Sequence, residues 1–319
     1  MDFTFTEEQE TISKLARDVL ERRATPERLT ELEAGESRYD AALWKELAGV
    51  DLLGTALPES LGGNGGGFVE LGVLLAEVGS TVAPVPAYAT LLLGADPIAR
   101  HGSPEQQQRF LPGVIDGTRI LSAGLHEPGR SDPTRPATTA RRDGATWRLD
   151  GVKELVSFGQ VADTLLIPAG IDDGTDGEVG IFLLPTDAAG VEIRPVTTTN
   201  REPHADVFLD GATVAVADKL DGDRLVESLH TRALVGLCAV QVGVAERALR
   251  MAAEYTTARE QFGRPIGSFQ AVQQRMADGF IDLEAIRWTT WHAAWLVAEG
   301  RLADRAARVA KFWAAEAGA

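Results

Sequence analysis

Through the first hundred residues, apolar side chains return every three or four positions. Ile12, Leu15, Ala16, Val19 and Leu20 form one stripe, the spacing of an amphipathic helix. Thr6 with Gln9 supplies a capping box ahead of it, each residue satisfying an orphan amide of the other. Thr25–Pro26 reads as an N-cap with proline at the first helical position. Asp40 precedes AALWKELAG, whose Gly49 is expected as a left-handed C-cap. The stretch GFVELGVLLAEVG, ending at Gly79, and the stretch from Tyr88 to His101 predict two strongly apolar helices. Ser103–Pro104 with Gln106 repeats the capping box before a helix expected to end near Leu111. Residues 1–117 are therefore expected to form an N-terminal α-helical domain.

The period then changes. Asp–Gly pairs at 143–144, 150–151, 173–174, 176–177, 210–211 and 221–222 carry hairpin and turn chemistry. Between them stand the short extended runs TRILSAGL (118–125), ATWRL (145–149), DTLLIPAG (163–170), VGIFLLP (179–185) and VEIRPV (191–196). This spacing predicts a central antiparallel β domain over 118–222, a sandwich or barrel. From 223 the helical period returns. Leu234, Leu237, Cys238, Gln241, Val244, Ala245, Ala248, Leu249 and Ala252 mark one face of a helix of about 30 residues. REQFGRPIGS (259–268) reads as a turn into a second long helix, with Phe269, Val272, Met276, Phe280, Leu283, Ile286 and Trp291. A third helix is expected from near Leu302, so residues 223–319 form a C-terminal α-helical bundle. The fold class is α+β: helices, a β domain, then helices.

Composition narrows the function. Of 319 residues, 44% are hydrophobic and 24% charged, which suits a folded core. Lys plus Arg total 31 against 47 acidic residues, a net charge of −16. That excludes a phosphate-tracking nucleic-acid binder and anchoring on anionic lipid, while leaving room for a local basic site. The single cysteine, Cys238, excludes an internal disulfide and a multi-Cys zinc site. The start MDFTFTEEQE has no basic region leading into an apolar stretch, and no run of 18 apolar residues occurs. A cytoplasmic protein is expected, with neither nucleic acid nor membrane as partner.

Few motifs carry chemistry. ALPESLGGNGGG (56–67) has the glycines to cradle a phosphate, but no strand enters it and no Lys–Ser/Thr pair follows. Turn chemistry alone favours a tight helix–helix connection. HEPGRSD (126–132), just after an expected strand, presents backbone amides beside Ser131 that suit a flavin edge, a phosphate, or an ordinary loop. In REQFG (259–263), Arg259 has the geometry to clamp a pyrophosphate and Phe262 to pack on an aromatic ring; Arg259 serves equally as a helix C-terminal cap. The histidines at 101, 126, 204, 230 and 292 show no metal-ligand spacing, and no GxSxG elbow exists. Cys238 falls on an apolar helix face, where it reads as an inert core thiol. Trp288, Trp291 and Trp295 share one helix face and read as core or subunit-interface packing.

Together these pieces resemble one family along the whole chain, the FAD-dependent acyl-CoA dehydrogenases. The matching stretches are FTEEQ, LPESLGGNGG, GSPEQQQRFLPGVIDG (102–117), HEPGRSD and above all AEYTTAREQFGRPIGSFQAVQQRMAD (253–278). The resemblance implies α,β-dehydrogenation of an acyl-CoA thioester: a glutamate takes the α-proton while the β-hydride passes to the flavin. It also implies FAD at a subunit interface. By motif position, Arg259, Phe262 and Gln270 would reach the partner's FAD, while Leu125, Ser131 and Ser157 would face this chain's own flavin. An electron-transfer flavoprotein or similar acceptor would take the electrons.

Departures from the family pattern are equally informative. His126 stands where a flavin-bonding Thr is usual, and Arg130 separates Gly129 from Ser131. In KELVSFG (153–159), Leu155 replaces the tryptophan that flanks the flavin and Phe158 follows Ser157. Where one subset of the family carries its catalytic glutamate on the first long C-terminal helix, this chain has Ala233, with Leu234 at the neighbouring arginine position. Neither can abstract a proton, so no catalytic residue is assigned; Glu246 and Glu254 occupy ordinary solvated positions. The commoner site of the base lies beyond a GGxG loop, past residue 319. This pattern resembles one kind of subunit in actinobacterial heteromeric acyl-CoA dehydrogenases of steroid side-chain degradation. Those are α2β2 assemblies in which the other chain supplies the base. A heterotetramer with a homologous dehydrogenase subunit is therefore expected, with a self-sufficient dehydrogenase or an acyl-CoA oxidase as alternatives.

Overall fold

The computed structural model describes residues 4–35, 37–130, 132–172 and 178–318. Its helices are α1 (Glu7–Arg23), α2 (Pro26–Ala34), α3 (Ala41–Gly49), α4 (Phe68–Thr81), α5 (Asp96–His101), α6 (Pro104–Ile115), α7 (Leu225–Ala258), α8 (Gln270–Ala298) and α9 (Asp304–Glu316). A π-helix, Ala87–Ala95, leads into α5. The strands are β1 (Leu121–Ala123), β2 (Thr139–Asp143), β3 (Thr146–Val156), β4 (Thr164–Ile171), β5 (Val179–Pro185), β6 (Val191–Thr197), β7 (Pro203–Ala215), β8 (Lys219–Leu220), β9 (Glu260–Gln261) and β10 (Arg264–Pro265). Contacts group them into two compact units: residues 1–24, 68–83 and 234–319, and residues 25–67 and 84–233.

The first unit is helical. The capping box of α1 forms as its sequence requires: Thr6 Oγ1 accepts from the Gln9 amide at 3.2 Å, and the Thr6 amide donates to Gln9 Oε1 at 3.0 Å. Ala16, Val19 and Leu20 are buried. Glu77 on α4 accepts from Ser13 and from Arg17, each at 2.6 Å, tying α4 to α1. Helices α4 and α7 pass at backbone distance. A Cβ at Gly79 would lie 2.1 Å from the Val240 carbonyl oxygen, and one at Gly243 would lie 1.8 Å from that of Ala76. Trp291, half-buried, packs edge-on against Phe5 at 5.0 Å and lies against Gly72, while Trp288 of the same expected face is exposed. Helix α7 is long and apolar enough by composition to cross a membrane, with a window of mean hydropathy 1.3, yet half of that window is buried in the protein. Burial of that kind marks a core helix.

The second unit sets α2, α3, the π-helix, α5 and α6 with an eight-stranded sheet. Its order is β6-β7-β3-β2-β4-β5-β8, with β1 also on β4. The expected antiparallel domain needs correction at two pairs: β1 and β2 both run parallel to β4, one after the other along its edge. The expected Asp–Gly turns divide. Asp143–Gly144 closes the β2–β3 hairpin, and Asp221–Gly222 turns the chain from β8 towards α7. Asp150–Gly151 and Asp210–Gly211 lie inside strands instead. Between the pairs Leu149–Ala212 and Gly151–Leu209, one residue of β3 opposes two of β7, a bulge in which the Gly211 amide (φ +62°) donates to Asp150 Oδ1 at 2.7 Å. The pairs at 173–174 and 176–177 lie outside the described residues. One sheet face packs Trp147, Leu149, Leu165, Ile167, Phe182 and Val207 into a core.

Two helix ends also differ from expectation. Gly49 closes α3 within the helix, and the left-handed residue is Asp51 (φ +60°), whose short polar side chain tolerates that conformation. Helix α6 continues past Leu111 to Ile115 despite Pro112, because Val114 extends its buried stripe.

Two of the helical glycines test the packing. Gly243→Ala is expected to cost about 1–3 kcal/mol through forced separation of α4 and α7. Gly49→Ala, with nothing within 4 Å of its Cβ, is expected to stabilise by about 0.5–1 kcal/mol. Urea unfolding followed by circular dichroism measures both.

Candidate functional site

Strand β1 delivers the chain into the turn Glu127–Arg130. Pro128 fixes the first central position and Gly129 (φ +68°) the second, and the Arg130 amide closes it onto the Glu127 carbonyl at 3.0 Å, the makings of a type II turn. Glu127 itself is buried. Its carboxylate accepts from Thr138 Oγ1 at 2.6 Å, the Thr138 amide at 3.1 Å, the Ala137 amide, and Lys153 Nζ at 2.6 Å. Lys153, 1% exposed, gives a second bond to the Pro168 carbonyl at 2.7 Å. Gly124 lets the lysine stem pass, since a Cβ there would sit 2.7 Å from Lys153 Cγ. Burial alone would raise the Glu127 pKa; the bonds from Lys153, Thr138 and Ala137 outweigh it and hold the carboxyl at about 2. For Lys153, burial pushes the ammonium pKa down, with Glu127 opposing.

After Lys153 the strand leaves regular geometry. The register shifts between Lys153 and Val156, and both Leu155 and Phe158 have φ of +53°. Such a conformation costs a non-glycine residue roughly 1–3 kcal/mol. The Asp206 carboxylate holds the Leu155 amide at 3.0 Å, and the buried Phe158 ring meets Tyr39 edge-on at 6.4 Å. The Glu154 amide donates to the His126 carbonyl at 2.9 Å, and Ser122 Oγ donates to the Ser157 carbonyl at 2.5 Å. The HEPGR turn and the KELVSFG stretch therefore lie side by side. Leu125 and Ser157 are both half-buried there, while His126 and Leu155 are exposed. Ser131 lies outside the described residues.

The three remaining expected contacts gather elsewhere, on the helical unit. Strands β9 and β10 pair antiparallel around the two-residue loop Phe262–Gly263, with φ of +52° and +76°. A loop with both residues at positive φ matches hairpin twist but favours Asn–Gly; phenylalanine there is strained. Its ring is 94% exposed. Phe269 supports it edge-on at 6.2 Å and lies under the Arg264 guanidinium at 4.2 Å. The Ile266 amide donates to the Arg259 carbonyl at 2.8 Å, closing the base of the hairpin. The Arg259 guanidinium is exposed and makes no ion pair among the described residues, and Gln270 is exposed at the start of α8. Of the stripe expected on α7 and α8, Ala248, Ala252 and Phe280 are exposed and Leu283 and Ile286 are buried. Met251, Tyr255 and Ile281, outside the stripe, are exposed as well.

At the position expected for a helix-borne base, Ala233 is buried and its carbonyl accepts from the Tyr88 hydroxyl at 3.2 Å. Glu246 is committed to Arg250 at 3.0 Å and Arg287 at 3.2 Å, and Glu254 is exposed. Cys238 is buried and its thiol is pushed up to about 12 by burial, so it is inert. No cluster of three metal-ligating residues occurs among the described residues. The glycine loop resolves as a connection. Its amides at 62, 63, 64, 65 and 66 donate to the carbonyls of Glu59, Pro58, Gly54, Leu57 and Thr55, which leaves those amides none for a phosphate.

Residues 6–118 match the acyl-CoA dehydrogenase N-terminal domain, 123–212 the middle domain and 224–319 the C-terminal domain. The chain is 40% identical to the acyl-CoA dehydrogenase FadE27 of Mycobacterium tuberculosis, over all of this chain and 85% of that protein. The chain belongs to the acyl-CoA dehydrogenase family. FadE28 of the same organism is 34% identical over 98% of this chain and 83% of its own. Among solved structures, the ChsE4–ChsE5 complex from M. tuberculosis superposes with a TM-score of 0.93 at 40% identity, covering 99% of this chain and 85% of that one. The Tcur3481–Tcur3483 steroid acyl-CoA dehydrogenase gives 0.91 at 44% identity, covering 98% and 84%. The first of these is a complex of two proteins and the second is a steroid acyl-CoA dehydrogenase; the family uses FAD.

The residues fit FAD unevenly. An exposed, unpaired guanidinium, an exposed ring and an exposed amide suit an anionic, aromatic cofactor approaching from outside the chain. On the β domain, Leu155 offers no aromatic wall and no hydrogen-bond donor from its side chain. The sequence did not single out Glu127 and Lys153, although both lie in quoted motifs; a lysine on an inward strand position was the available signal.

Removing one partner of that pair is expected to be costly. Lys153→Met leaves a buried carboxylate and is expected to lose about 3–5 kcal/mol, whereas adding Glu127→Leu to it recovers part of the loss. With its pKa lowered from 4.5 to about 2, Glu127 contributes its full stability above pH 4.5 and loses it as pH falls towards 2. Urea titrations across that range, on the native protein and on Glu127→Gln, measure the difference.

Proposed function

We propose that this chain is the subunit of a heteromeric, FAD-dependent acyl-CoA dehydrogenase that completes the cofactor site of a homologous catalytic partner, most naturally as an α2β2 assembly. The observations that carry this reading are Ala233, buried at the position of a helix-borne base, and, separately, an intact REQFG motif on an exposed hairpin. In this role the Arg259 guanidinium would hold the pyrophosphate of the partner's cofactor, with Phe262 and Gln270 as its further contacts. Leu125 and Ser157, and by motif position Ser131, would face this chain's own flavin, where the Leu155 side chain offers no aromatic wall. The chemistry that bound FAD would supply here is that of a hydride acceptor for the acyl β-carbon. The partner's carboxylate takes the α-proton, since this chain places none at 233. Relatedness to heteromeric steroid dehydrogenases favours a bulky sterol side-chain thioester as substrate, with an electron-transfer flavoprotein or similar acceptor, in the cytoplasm.

Co-expression with the adjacent-gene homologue, followed by a flavin count, tests the assignment. The pair is expected to hold about one FAD per two chains and to turn over, while this chain alone does neither. Stoichiometric flavin and turnover in the isolated chain would overturn it. Arg259→Ala in the pair is expected to weaken FAD retention about 10- to 100-fold, the loss of a charge-assisted contact of about 1.5–3 kcal/mol.

A further inference from the structure

The π-helix Ala87–Ala95 is fastened to α7 at two consecutive residues. At its start, the Tyr88 hydroxyl donates to the Ala233 carbonyl at 3.2 Å. At its end, Asp96 accepts from Arg232 Nε at 2.6 Å and Nη2 at 2.5 Å, a bidentate pair with both side chains 11% exposed. Its other side is fixed to β1. Thr90 Oγ1 donates to the Leu121 carbonyl at 2.9 Å and accepts from the Leu121 amide at 3.2 Å. Gly94 brings the two backbones together, since a Cβ there would fall 2.3 Å from that of Leu121. The wide turn accommodates Pro97, whose ring in an α-helix would collide with the Leu93 carbonyl. A continuous π-helix of nine residues is unusual, and π geometry concentrates at functional sites. Held from both sides, this segment has no freedom to swing away from residues 232–233.

Position 233 is where a subset of the family carries its base, so the α-carbon of a bound acyl group would lie beside it. Here Ala233 is 3% exposed, and the Tyr88 phenol stands against the same turn. Resting on the reading of this chain as a partner without a base, we infer that Tyr88, locked in place by the Asp96–Arg232 pair, closes this chain's own acyl site. The staple makes Tyr88 a specificity element: it excludes acyl-CoA from this subunit and directs it to the partner's site.

Hexyl-CoA, a thioether with no acidic α-proton, counts open sites by isothermal titration calorimetry. In the complex with the partner, the unsubstituted protein and Tyr88→Phe, which keeps the ring, are expected to bind one hexyl-CoA per pair of chains. Tyr88→Ala is expected to bind two. Two per pair in the unsubstituted complex overturns the inference, as does a Tyr88→Ala complex of unchanged melting temperature that still binds one. Should Tyr88→Ala fail to assemble, the count on the unsubstituted complex still decides, with Tyr88→Leu as the opening variant. A flavin count of one per pair alongside two hexyl-CoA sites would sink the staple and leave the partner role standing. Flavin and turnover in the isolated chain would sink the partner role instead.

Discussion

The ion pair between Glu127 and Lys153 is the constraint around which the β domain is arranged. Its two side chains join four stretches of chain: the Pro128–Gly129 turn, the lead into β2 at Ala137 and Thr138, strand β3, and strand β4 at Pro168. Along one edge of β4, β1 covers Thr164–Leu166 and β2 covers Gly170–Ile171, which leaves a gap between them. The Lys153 ammonium fills it by bonding the Pro168 carbonyl. A buried charge pair of this kind is weak as a source of net stability but exacting in geometry, because each unmet bond leaves a polar group stranded. That exactness holds the HEPGR turn against KELVSFG.

Much of the fold was legible because local rules and global packing agreed. The capping boxes at Thr6 and Ser103 formed as written, and β5 occupies the run VGIFLLP. Where they disagreed, long-range pairing prevailed. Asp210–Gly211 reads as a turn, yet β7 runs through it, because alternation at Ala205, Val207 and Leu209 buries one face against β3. The glycine loop shows the opposite outcome, in which turn chemistry alone gave the right answer. Neither the π-helix nor the Asp96–Arg232 pair leaves a periodic trace: Leu91, Leu92 and Leu93 are all buried, so no stripe exists, and the paired residues stand far apart in sequence.

The candidate site divides along a similar line. REQFG is a contiguous motif whose hairpin depends on neighbours in sequence, so Arg259, Phe262 and Gln270 could be named in advance and are found together. The β-domain edge depends on strand register, on two left-handed residues in KELVSFG, and on a charge pair contributed by separate segments. Motif position could name Leu125 and Ser157 there, but only the folded chain shows what braces them. Family resemblance suggests the chemistry for both halves; one is exposed, and the other has a leucine, Leu155, where an aromatic side chain is usual.

The Phe262 tip has a consequence for how the protein exists in a cell. A strained, almost fully exposed aromatic on the turn between α7 and α8, with Met251, Tyr255, Phe280 and Ile281 also exposed on those helices, leaves apolar surface open to solvent. Left uncovered, apolar surface of this kind is what marks an unfolded protein to chaperones and proteases. Under the proposed partner role, the abundance of this protein is coupled to the supply of the chain that covers the hairpin, and balanced synthesis becomes a requirement written into its shape.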